Sequence, residues 1–213
     1  MIISAICGRG GRLENLDCII EFQAEGFSAV LVVDAYGCKQ HDVELFAMEM
    51  KSFSIDGVSS ASELLGRISV DFNIKMSVVC IAKNYDNVSL SSLGDCRAYS
   101  ECGELLTLDH TNAWDDLVAR GMDQARIAEL VKKHPGRRVL NKFLEFPRPL
   151  HAAEEVIFSY CGESNYLLCS DGFWEHLNRS LIVDLMSGVL SVEGFSGTLS
   201  AASDNYTACL VRF

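Results

Sequence analysis

The stretch YLLCSDGFWEHL (residues 166–177) changes character abruptly in its middle. The apolar run Tyr166–Cys169 is typical of a buried β-strand, and it ends in Ser170, Asp171 and Gly172. A carboxylate at the end of a buried strand needs a partner, because burying an uncompensated charge is costly. The stretch therefore raises the question of what Asp171 holds.

Four other aspartates bound strand-like apolar runs in the same way. Asp34 and Asp109 end such runs, and Asp17 and Asp204 begin them. Taken alone, each is better explained as a turn or cap residue, and only the set favours a shared site. If the strand ends meet at one edge, however, the carboxylates converge and require compensating positive charge. Oxygen ligands without histidine or cysteine suit Mg²⁺ or Mn²⁺, so the set predicts a site for hard divalent cations.

A glycine-rich stretch, CGRGGRLENLD (residues 7–17), could add a phosphate site to these carboxylates. It carries Arg9 and Arg12 ahead of Asp17, with glycines that let backbone amides approach a ligand. Arginine binds phosphate through a two-pronged pair of hydrogen bonds. The stretch matches neither a P-loop nor a dinucleotide-binding motif, so a flexible turn between two strands is the alternative interpretation.

Composition limits the function classes. The chain has 213 residues, 49% hydrophobic and 22% charged, which is typical of a globular protein and suffices for a single domain spanning 1–213. The net charge of −11 argues against a nucleic-acid partner. No apolar run is long enough to span a membrane, and the N-terminus does not look like a secretory signal. Nine cysteines without a C-x-x-C pair are typical of reduced thiols, which predicts a cytoplasmic protein.

The order of the predicted elements indicates the fold class. Strands and helices come in blocks rather than in regular β-α alternation, which favours an α+β protein with packed sheets covered by helical layers. Helical spacing occurs at Asp42–Phe53, Ser62–Phe72, Ala113–Ala119, Gln124–Lys132 and Ser180–Leu190. Strand-like runs occur at Ile2–Cys7, Cys18–Phe22, Ala29–Val33, Ser77–Ala82, Val88–Leu93, Arg97–Tyr99, Leu105–Leu108, Glu155–Tyr160, Tyr166–Cys169 and Tyr206–Phe213.

Read together, these segments resemble the metal-dependent (type 2C, PPM class) serine/threonine protein phosphatases in their short bacterial single-domain form. The similar motifs run in family order along the chain. They are GRLENLD (11–17), VVDAYGC (32–38), LSSLGDCRAYS (90–100), LTLDHTNAWDDLVARGM (106–122), HPGRRVLNKFL (134–144), LLCSDGFWEHL (167–177) and DNYTACLVRF (204–213). The resemblance implies a four-layer α-β-β-α sandwich, two antiparallel sheets flanked by helices, with residues 113–150 as a flap beside the active site.

The resemblance also assigns metal ligands by position. It implies that Asp34 bridges two Mn²⁺ or Mg²⁺ ions and that Asp171 and Asp204 complete the shell of one of them. The backbone carbonyl of Ala35 would serve the other ion. Asp109 matches an aspartate that helps to form a third, weaker metal site in bacterial members.

The reaction implied by the resemblance is hydrolysis of phosphoserine or phosphothreonine on proteins by a metal-bound hydroxide. Arg12 would bind the substrate phosphate, and Asp17 would orient the attacking water. The implied partners are phosphorylated proteins, targets of a Ser/Thr kinase, and the expected state is a monomer. His110 or His134 could assist the leaving oxygen, although a hydrogen-bonding role is the default for both.

Departures from the family pattern keep two rival functions open. Leu16 stands where the family usually has Glu or Gln, and Ala35 replaces a glycine, which fits an inactive relative that docks phosphorylated partners. A phosphatase acting on small phosphorylated metabolites is the second rival. Cys38 replaces another glycine near the predicted start of a helix, where a thiol with a lowered pKa would be open to oxidation, although simple substitution in a relaxed loop is the competing interpretation.

Overall fold

The computed structural model describes residues 2–85, 87–148, 151–159, 164–195, 197, 199 and 202–213. Over these residues the chain forms two antiparallel sheets that pack face to face between two sets of helices. This arrangement confirms the predicted α+β class and the predicted α-β-β-α sandwich. None of the helices in the described ranges is long and apolar enough to cross a membrane.

Four strands of the described part of the chain form the first sheet, and two of them position aspartates of the candidate site. Its strands are β1 (Ile2–Gly8), β6 (Arg97–Ser100), β9 (Asn165–Cys169) and β10 (Tyr206–Arg212), in the order β1-β10-β9-β6. Asp204 precedes β10 and Asp171 follows β9. Because β9 and β10 are antiparallel neighbours, the end of β9 and the beginning of β10 lie at the same edge of the sheet.

The second sheet carries the other carboxylates. Its strands are β2 (Asp17–Ala24), β3 (Phe27–Tyr36), β4 (Ile74–Asn84), β5 (Asn87–Leu93) and β8 (Glu154–Ser159), in that order, and the short β7 (Leu144–Phe146) pairs with β4. Asp17 begins β2 and Asp34 lies near the end of β3. The antiparallel β2–β3 pairing places these two residues directly opposite each other.

Side chains of β3 alternate between two cores, as the pleat of a strand requires. Ala29, Leu31 and Val33 face the helices that cover the second sheet, whereas Val30 and Val32 face the first sheet. All five are fully buried. Burying a valine or leucine side chain contributes about 1.5–3 kcal/mol, so this strand anchors both layers and fixes where Asp34 emerges.

Seven helices in the described ranges cover the outer faces of the two sheets. They are α1 (Gln40–Lys51), α2 (Ala61–Arg67), α3 (Asn112–Ala119), α4 (Gln124–Leu130), α5 (Asp171–Trp174), α6 (Arg179–Met186) and α7 (Val192–Phe195). A 3₁₀ turn at Val131–Lys133 follows α4. Helices α1 and α2 pack on the second sheet, and the others contribute to a core against the first sheet.

Polar caps fix where several helices begin. The side chains of Ser60, Thr111, Asp123 and Asn178 each accept a hydrogen bond from the amide three residues later. Such a cap satisfies one of the four free amides at a helix start and contributes about 1 kcal/mol.

Three sequence expectations differ from the structure. Leu105–Leu108 does not form a strand, since Leu105 makes only an isolated bridge to Tyr99. Helix α7, at Val192–Phe195, lies outside the predicted helical stretches. The short strand β7 was not anticipated. The structure joins none of the eight cysteines in the described part of the chain in a disulfide, and the predicted strand end at Tyr160 lies outside that part.

Candidate metal centre

A row of polar residues crosses the second sheet at its edge. Asp17 on β2 is paired with Asp34 on β3, which is paired with Ser77 on β4. The hydroxyl of Ser77 donates a hydrogen bond to Oδ1 of Asp95 at 2.7 Å. Asp95 follows β5 in the turn to β6, and the indole of Trp174 donates to its backbone carbonyl at 2.9 Å. The turn is therefore fixed from both sides.

Ser170 joins the two sheets beneath this row. Its amide donates to the carbonyl of Thr207 at 2.9 Å, and its Oγ accepts from the amide of Thr207 at 2.9 Å. The same hydroxyl donates to Oδ2 of Asp17 at 2.7 Å. Asp17 is buried, and its Oδ1 has no hydrogen-bond partner among the described residues. Ser170 thus orients a carboxylate whose second oxygen is left open.

Four carboxylates line one open cavity of about 840 Å³ at the meeting edge of the sheets. They belong to Asp34, Asp95, Asp171 and Asp204. The aspartates predicted to converge thus do so at Asp34, Asp171 and Asp204, and Ala35 lines the same cavity. Asp17 lies behind it, opposite Asp34.

Burial and mutual repulsion shift the pKa values of these acids upward. Burial, followed by the charges of Asp17 and Asp171, raises the pKa of Asp34 well above its usual value. Burial and the charge of Asp171 raise the pKa of Asp95 to about 8. Burial, opposed by the Ser170 hydrogen bond, raises the pKa of Asp17 to about 7. Burial and the charge of Asp204 raise the pKa of Asp171. A positive ion among these groups would lower all four values.

Asp204 differs because an arginine neutralises it. Arg12 donates from Nε to Oδ1 at 2.7 Å and from Nη2 to Oδ2 at 2.6 Å. Burial raises the pKa of Asp204, but the hydrogen bond and charge of Arg12 more than offset it, so the net pKa is lowered. Nη2 of Arg138 lies 3.7 Å from the same carboxylate. Two cationic side chains therefore stand at the mouth of the acidic cavity.

The donor set fits hard divalent cations. The aspartates offer carboxylate oxygens, which are the ligands that such ions prefer. The open Oδ1 of Asp17 and the raised pKa values of Asp17 and Asp34 both indicate negative charge that nothing compensates among the described residues. In the described ranges no three His, Cys, Asp or Glu side chains are grouped closely enough to enclose an ion, and Asp204 is held by Arg12. Residues of the right chemistry thus surround the cavity, with one of them paired to an arginine.

The three residues that depart from the family pattern are accommodated locally. The side chain of Ala35 packs in the core and its amide donates to the carbonyl of Leu16 at 3.0 Å. Leu16 packs against the same core, and its amide donates to Oδ1 of Asn205 at 2.9 Å. Burial, together with the charges of Asp42 and Glu14, raises the pKa of Cys38 to about 11, opposite to the direction expected of a reactive thiol.

Asp109 does not occupy the place expected of it. It is 2% exposed and accepts two hydrogen bonds from Arg97, at 2.9 and 2.8 Å, away from the cavity. The guanidinium of Arg97 lies 3.7 Å from the ring centroid of Trp174. Because Leu105–Leu108 does not form a strand, Asp109 is not at a strand tip. Its carboxylate compensates the buried Arg97 and is not among the described residues that line the cavity.

Sequence reasoning missed Asp95, Arg138 and Asn205. Asp95 follows the strand-like run Val88–Leu93 after a single glycine, so it lies just beyond a predicted strand, as Asp171 does, and could have been found. Asn205 donates from Nδ2 to the carbonyls of Arg9 and Glu14 at 2.8 Å and thereby holds the turn that carries Arg12. No sequence pattern marked that amide.

His134 makes hydrogen bonds at a turn and does not line the cavity. Its Nε2 lies 3.0 Å from Oδ2 of Asp116, and its Nδ1 accepts from the amide of Gly136 at 3.1 Å. These contacts shape the turn that carries Arg138. His110 is buried, with Nδ1 receiving the amide of Gly94 at 3.1 Å. Neither histidine lines the cavity.

Comparison with known proteins identifies the fold. No family model matches the sequence, and a search of curated proteins finds no significant match. Solved structures do match. Serine/threonine phosphatase Stp1 from Staphylococcus aureus is 17% identical with a TM-score of 0.77, covering 100% of this chain and 95% of its own. The catalytic domain of the phosphatase PstP, solved with two manganese ions, is 17% identical with a TM-score of 0.67, covering 97% and 95%.

A third matching structure is described as a PPM Ser-Thr phosphatase. The PPM Ser-Thr phosphatase MsPP from Mycobacterium smegmatis is 19% identical with a TM-score of 0.63, covering 98% of this chain and 97% of its own. The chain therefore has the fold of the bacterial PPM-type phosphatases over nearly its whole length, which confirms the resemblance read from its motifs.

Proposed function

We propose that the protein is a metal-dependent phosphatase that hydrolyses phosphoserine or phosphothreonine on proteins. The observation that carries this proposal is the convergence of Asp34, Asp95, Asp171 and Asp204 on one cavity with Arg12 and Arg138 at its mouth. Carboxylates at the base and arginines at the entrance suit a site that binds divalent cations and a phosphate group together.

The metal ligands we propose are Asp34, Asp171 and Asp204, with the carbonyl of Ala35. Two Mn²⁺ or Mg²⁺ ions fit this number of carboxylates, and the structure of PstP was solved with two manganese ions. A bound pair of such ions supplies positive charge to the phosphoryl oxygens and activates water at neutral pH. Where a third ion binds, Asp95 is better placed than Asp109 to contribute, because Asp95 lines the cavity.

The remaining roles belong to Asp17 and the arginines. Asp17 is fixed by Ser170 and leaves Oδ1 open, which suits a group that holds and orients a water molecule. Arg12 and Arg138 each present a half-exposed side chain at the mouth, where they can bind the substrate phosphate. A phosphate there would compete with Asp204 for Arg12.

Further features of the proposal concern the cellular setting. The substrates would be phosphorylated by a Ser/Thr kinase, and the protein would act in the cytoplasm as a monomer with one domain, 1–213. Residues 113–150 would form the flap; Arg138, Val139, Leu140 and Phe143 of this segment line the cavity, which supports that role.

The proposal is tested by manganese-dependent hydrolysis of p-nitrophenyl phosphate and of a phosphothreonine peptide. Asp171→Asn should abolish the manganese-dependent activity, whereas the matched change Asp71→Asn, at an exposed position outside the cavity, should preserve it. Activity that ignores manganese and survives Asp171→Asn would refute the proposal. Binding of the peptide without hydrolysis would instead indicate an inactive relative that docks phosphorylated proteins. Hydrolysis of sugar phosphates but not of the peptide would indicate a phosphatase that acts on small metabolites.

A further inference from the structure

Each arginine at the mouth of the cavity is followed by an exposed aliphatic residue. Leu13 follows Arg12 and is 91% exposed, and Val139 follows Arg138 and is 50% exposed. Both aliphatic side chains line the cavity. Single exposed apolar residues are common and need no explanation. Two of them, each next to a cation of the same cavity, form part of its entrance.

The backbone holds both aliphatic residues in place. The amide of Gly11 donates to the carbonyl of Ala202 at 2.8 Å, and Asn205 donates to the carbonyl of Glu14 at 2.8 Å, so the turn around Leu13 is fastened on both sides. The carbonyl of Val139 accepts from the amide of Asn112 at 2.9 Å. Residues held in this way lose little conformational freedom when a ligand packs on them, which favours binding.

An aromatic wall continues the apolar surface. Phe143 lines the cavity and contacts the ring of Tyr36 edge-on, with centroids 5.8 Å apart. It also contacts the ring of His151, at 5.6 Å, and Nζ of Lys75 lies 5.3 Å from its centroid. Phe143 is thus held by three neighbours while it faces the cavity. We call Leu13, Val139, Leu140, Phe143 and Tyr36 the apolar rim.

The mixture of charges and apolar groups indicates what occupies this surface. The arginines match a phosphate, but the exposed aliphatic side chains of the rim supply none of the hydrogen bonds that the hydroxyl groups of a sugar need. A protein segment supplies both parts, since the phosphorylated side chain is flanked by other side chains a few ångströms along the chain. The rim is continuous with the cavity, so one segment can reach both.

We propose that the apolar rim selects protein substrates in which a bulky apolar residue stands immediately before or after the phosphorylated serine or threonine. This inference rests on the proposed function, because it assumes that the cavity receives the phosphate. The neighbouring side chain packs on Leu13 or Val139 while the phosphate is bound by Arg12 and Arg138. Leu13 and Val139 are then specificity-determining residues, and they take no part in the chemistry.

The test compares two phosphothreonine peptides that differ only in having leucine or serine on both sides of the phosphothreonine. With manganese, kcat/KM should be about fivefold higher for the leucine peptide, mainly through KM, as expected from burying part of one leucine side chain. Leu13→Ser and Val139→Ser should each bring the ratio of the two peptides closer to one. The same valine-to-serine change at Val189, which is 79% exposed and outside the cavity, should leave the ratio as in the wild type.

These experiments distinguish a failure of the inference about the apolar rim from a failure of the proposed function. Equal kcat/KM for the two peptides, or a ratio that Leu13→Ser and Val139→Ser do not change, overturns the inference. If neither peptide nor p-nitrophenyl phosphate is hydrolysed, the proposed function fails, and the rim is judged by fluorescence anisotropy with the same labelled peptides. Tighter binding of the leucine peptide that is lost in Val139→Ser upholds the rim, and equal dissociation constants overturn it.

Discussion

Arg12 and Asp204 form a two-pronged ion pair, with Nε and Nη2 of the arginine 2.7 and 2.6 Å from the two carboxylate oxygens. The pair joins a proposed phosphate-binding group to a proposed metal ligand. Each therefore neutralises the other, and a divalent ion must compete with Arg12 for Asp204. Ion binding and phosphate binding are linked in the same direction, because an ion that takes Asp204 releases Arg12 for the phosphate.

Replacing Arg12 by alanine tests this linkage. Arg12→Ala should tighten Mn²⁺ binding in the absence of substrate by a few-fold, because a half-exposed ion pair is worth at most about 1 kcal/mol. The same change should raise KM for p-nitrophenyl phosphate about tenfold, since it removes charge-assisted hydrogen bonds to the phosphate. Isothermal titration with manganese and steady-state kinetics measure the two effects.

Arg120→Ala is the matched control for Arg12→Ala, because Arg120 forms an exposed ion pair with Asp116 outside the cavity. It should alter neither quantity. Weaker Mn²⁺ binding in Arg12→Ala would contradict the proposed competition.

Asp109→Asn should destabilise the fold. It would leave the guanidinium of Arg97 buried without its carboxylate, and both side chains are only 1% exposed. Breaking such a buried pair costs about 3–5 kcal/mol of unfolding free energy. Urea denaturation in EDTA, compared with the wild type, measures this loss. A variant with unchanged stability and impaired manganese binding would instead favour the metal-ligand role first expected for Asp109.

Asp95→Asn should raise the stability of the metal-free protein and weaken manganese binding, the opposite of what is expected for Asp109→Asn. Asp95 is buried beside other carboxylates, so removing its charge relieves repulsion and should stabilise the metal-free protein slightly. Manganese binding should weaken, because the cavity loses a carboxylate. The same denaturation and titration experiments measure both effects. Loss of stability without any change in manganese affinity would show that Asp95 serves only the fold.

The stability of the metal-free protein should fall as the pH rises. Asp17 and Asp95 have ordinary values near 3.8 when unfolded and about 7 and about 8 when folded. Between those limits the folded state binds more protons, so the stability that these groups contribute is present at low pH and is lost up to about pH 8. In EDTA, the melting temperature should therefore drop between about pH 4 and about pH 8.

Two comparisons make the pH prediction specific. The drop should be smaller in Asp95→Asn, which lacks one of the titrating groups, and excess manganese should suppress it, because an ion compensates the ionised carboxylates. A melting temperature in EDTA that rises over the same range in the wild type would refute the assignment.

Much of the fold and site could be predicted because local patterns and global structure agree. The apolar run of β9 ends just before Asp171 in the structure as in the sequence, whereas β3 continues past Asp34 to Tyr36. Asp17 and Asp204 begin or precede strands as expected. These residues are recognisable because a buried apolar run that is interrupted by a carboxylate is unusual enough to indicate a site.

The choice between Asp95 and Asp109 could not be read from the sequence by the same rule. Both lie near the buried Arg97, but its two hydrogen bonds to a carboxylate go to Asp109, and that choice depends on where α4 and α5 pack around the arginine. The ion pair between Arg12 and Asp204 is likewise invisible locally, because its partners are 192 residues apart. Tertiary pairing decides which carboxylates remain available.

Asn205 gives the site a particular place in the folding of the chain. Its side chain bonds to Leu16, Arg9 and Glu14 across separations of 189 to 196 residues. Contacts between residues so far apart in the sequence form only after the chain between the two residues has closed into a loop, and that closure is slow. Pairing of β10 with β1 needs the same closure, because Gly8 lies opposite Tyr206. A partly folded molecule in which only the second sheet has formed would therefore lack a positioned Arg12, so the recovery of activity on refolding should lag behind the first recovery of secondary structure.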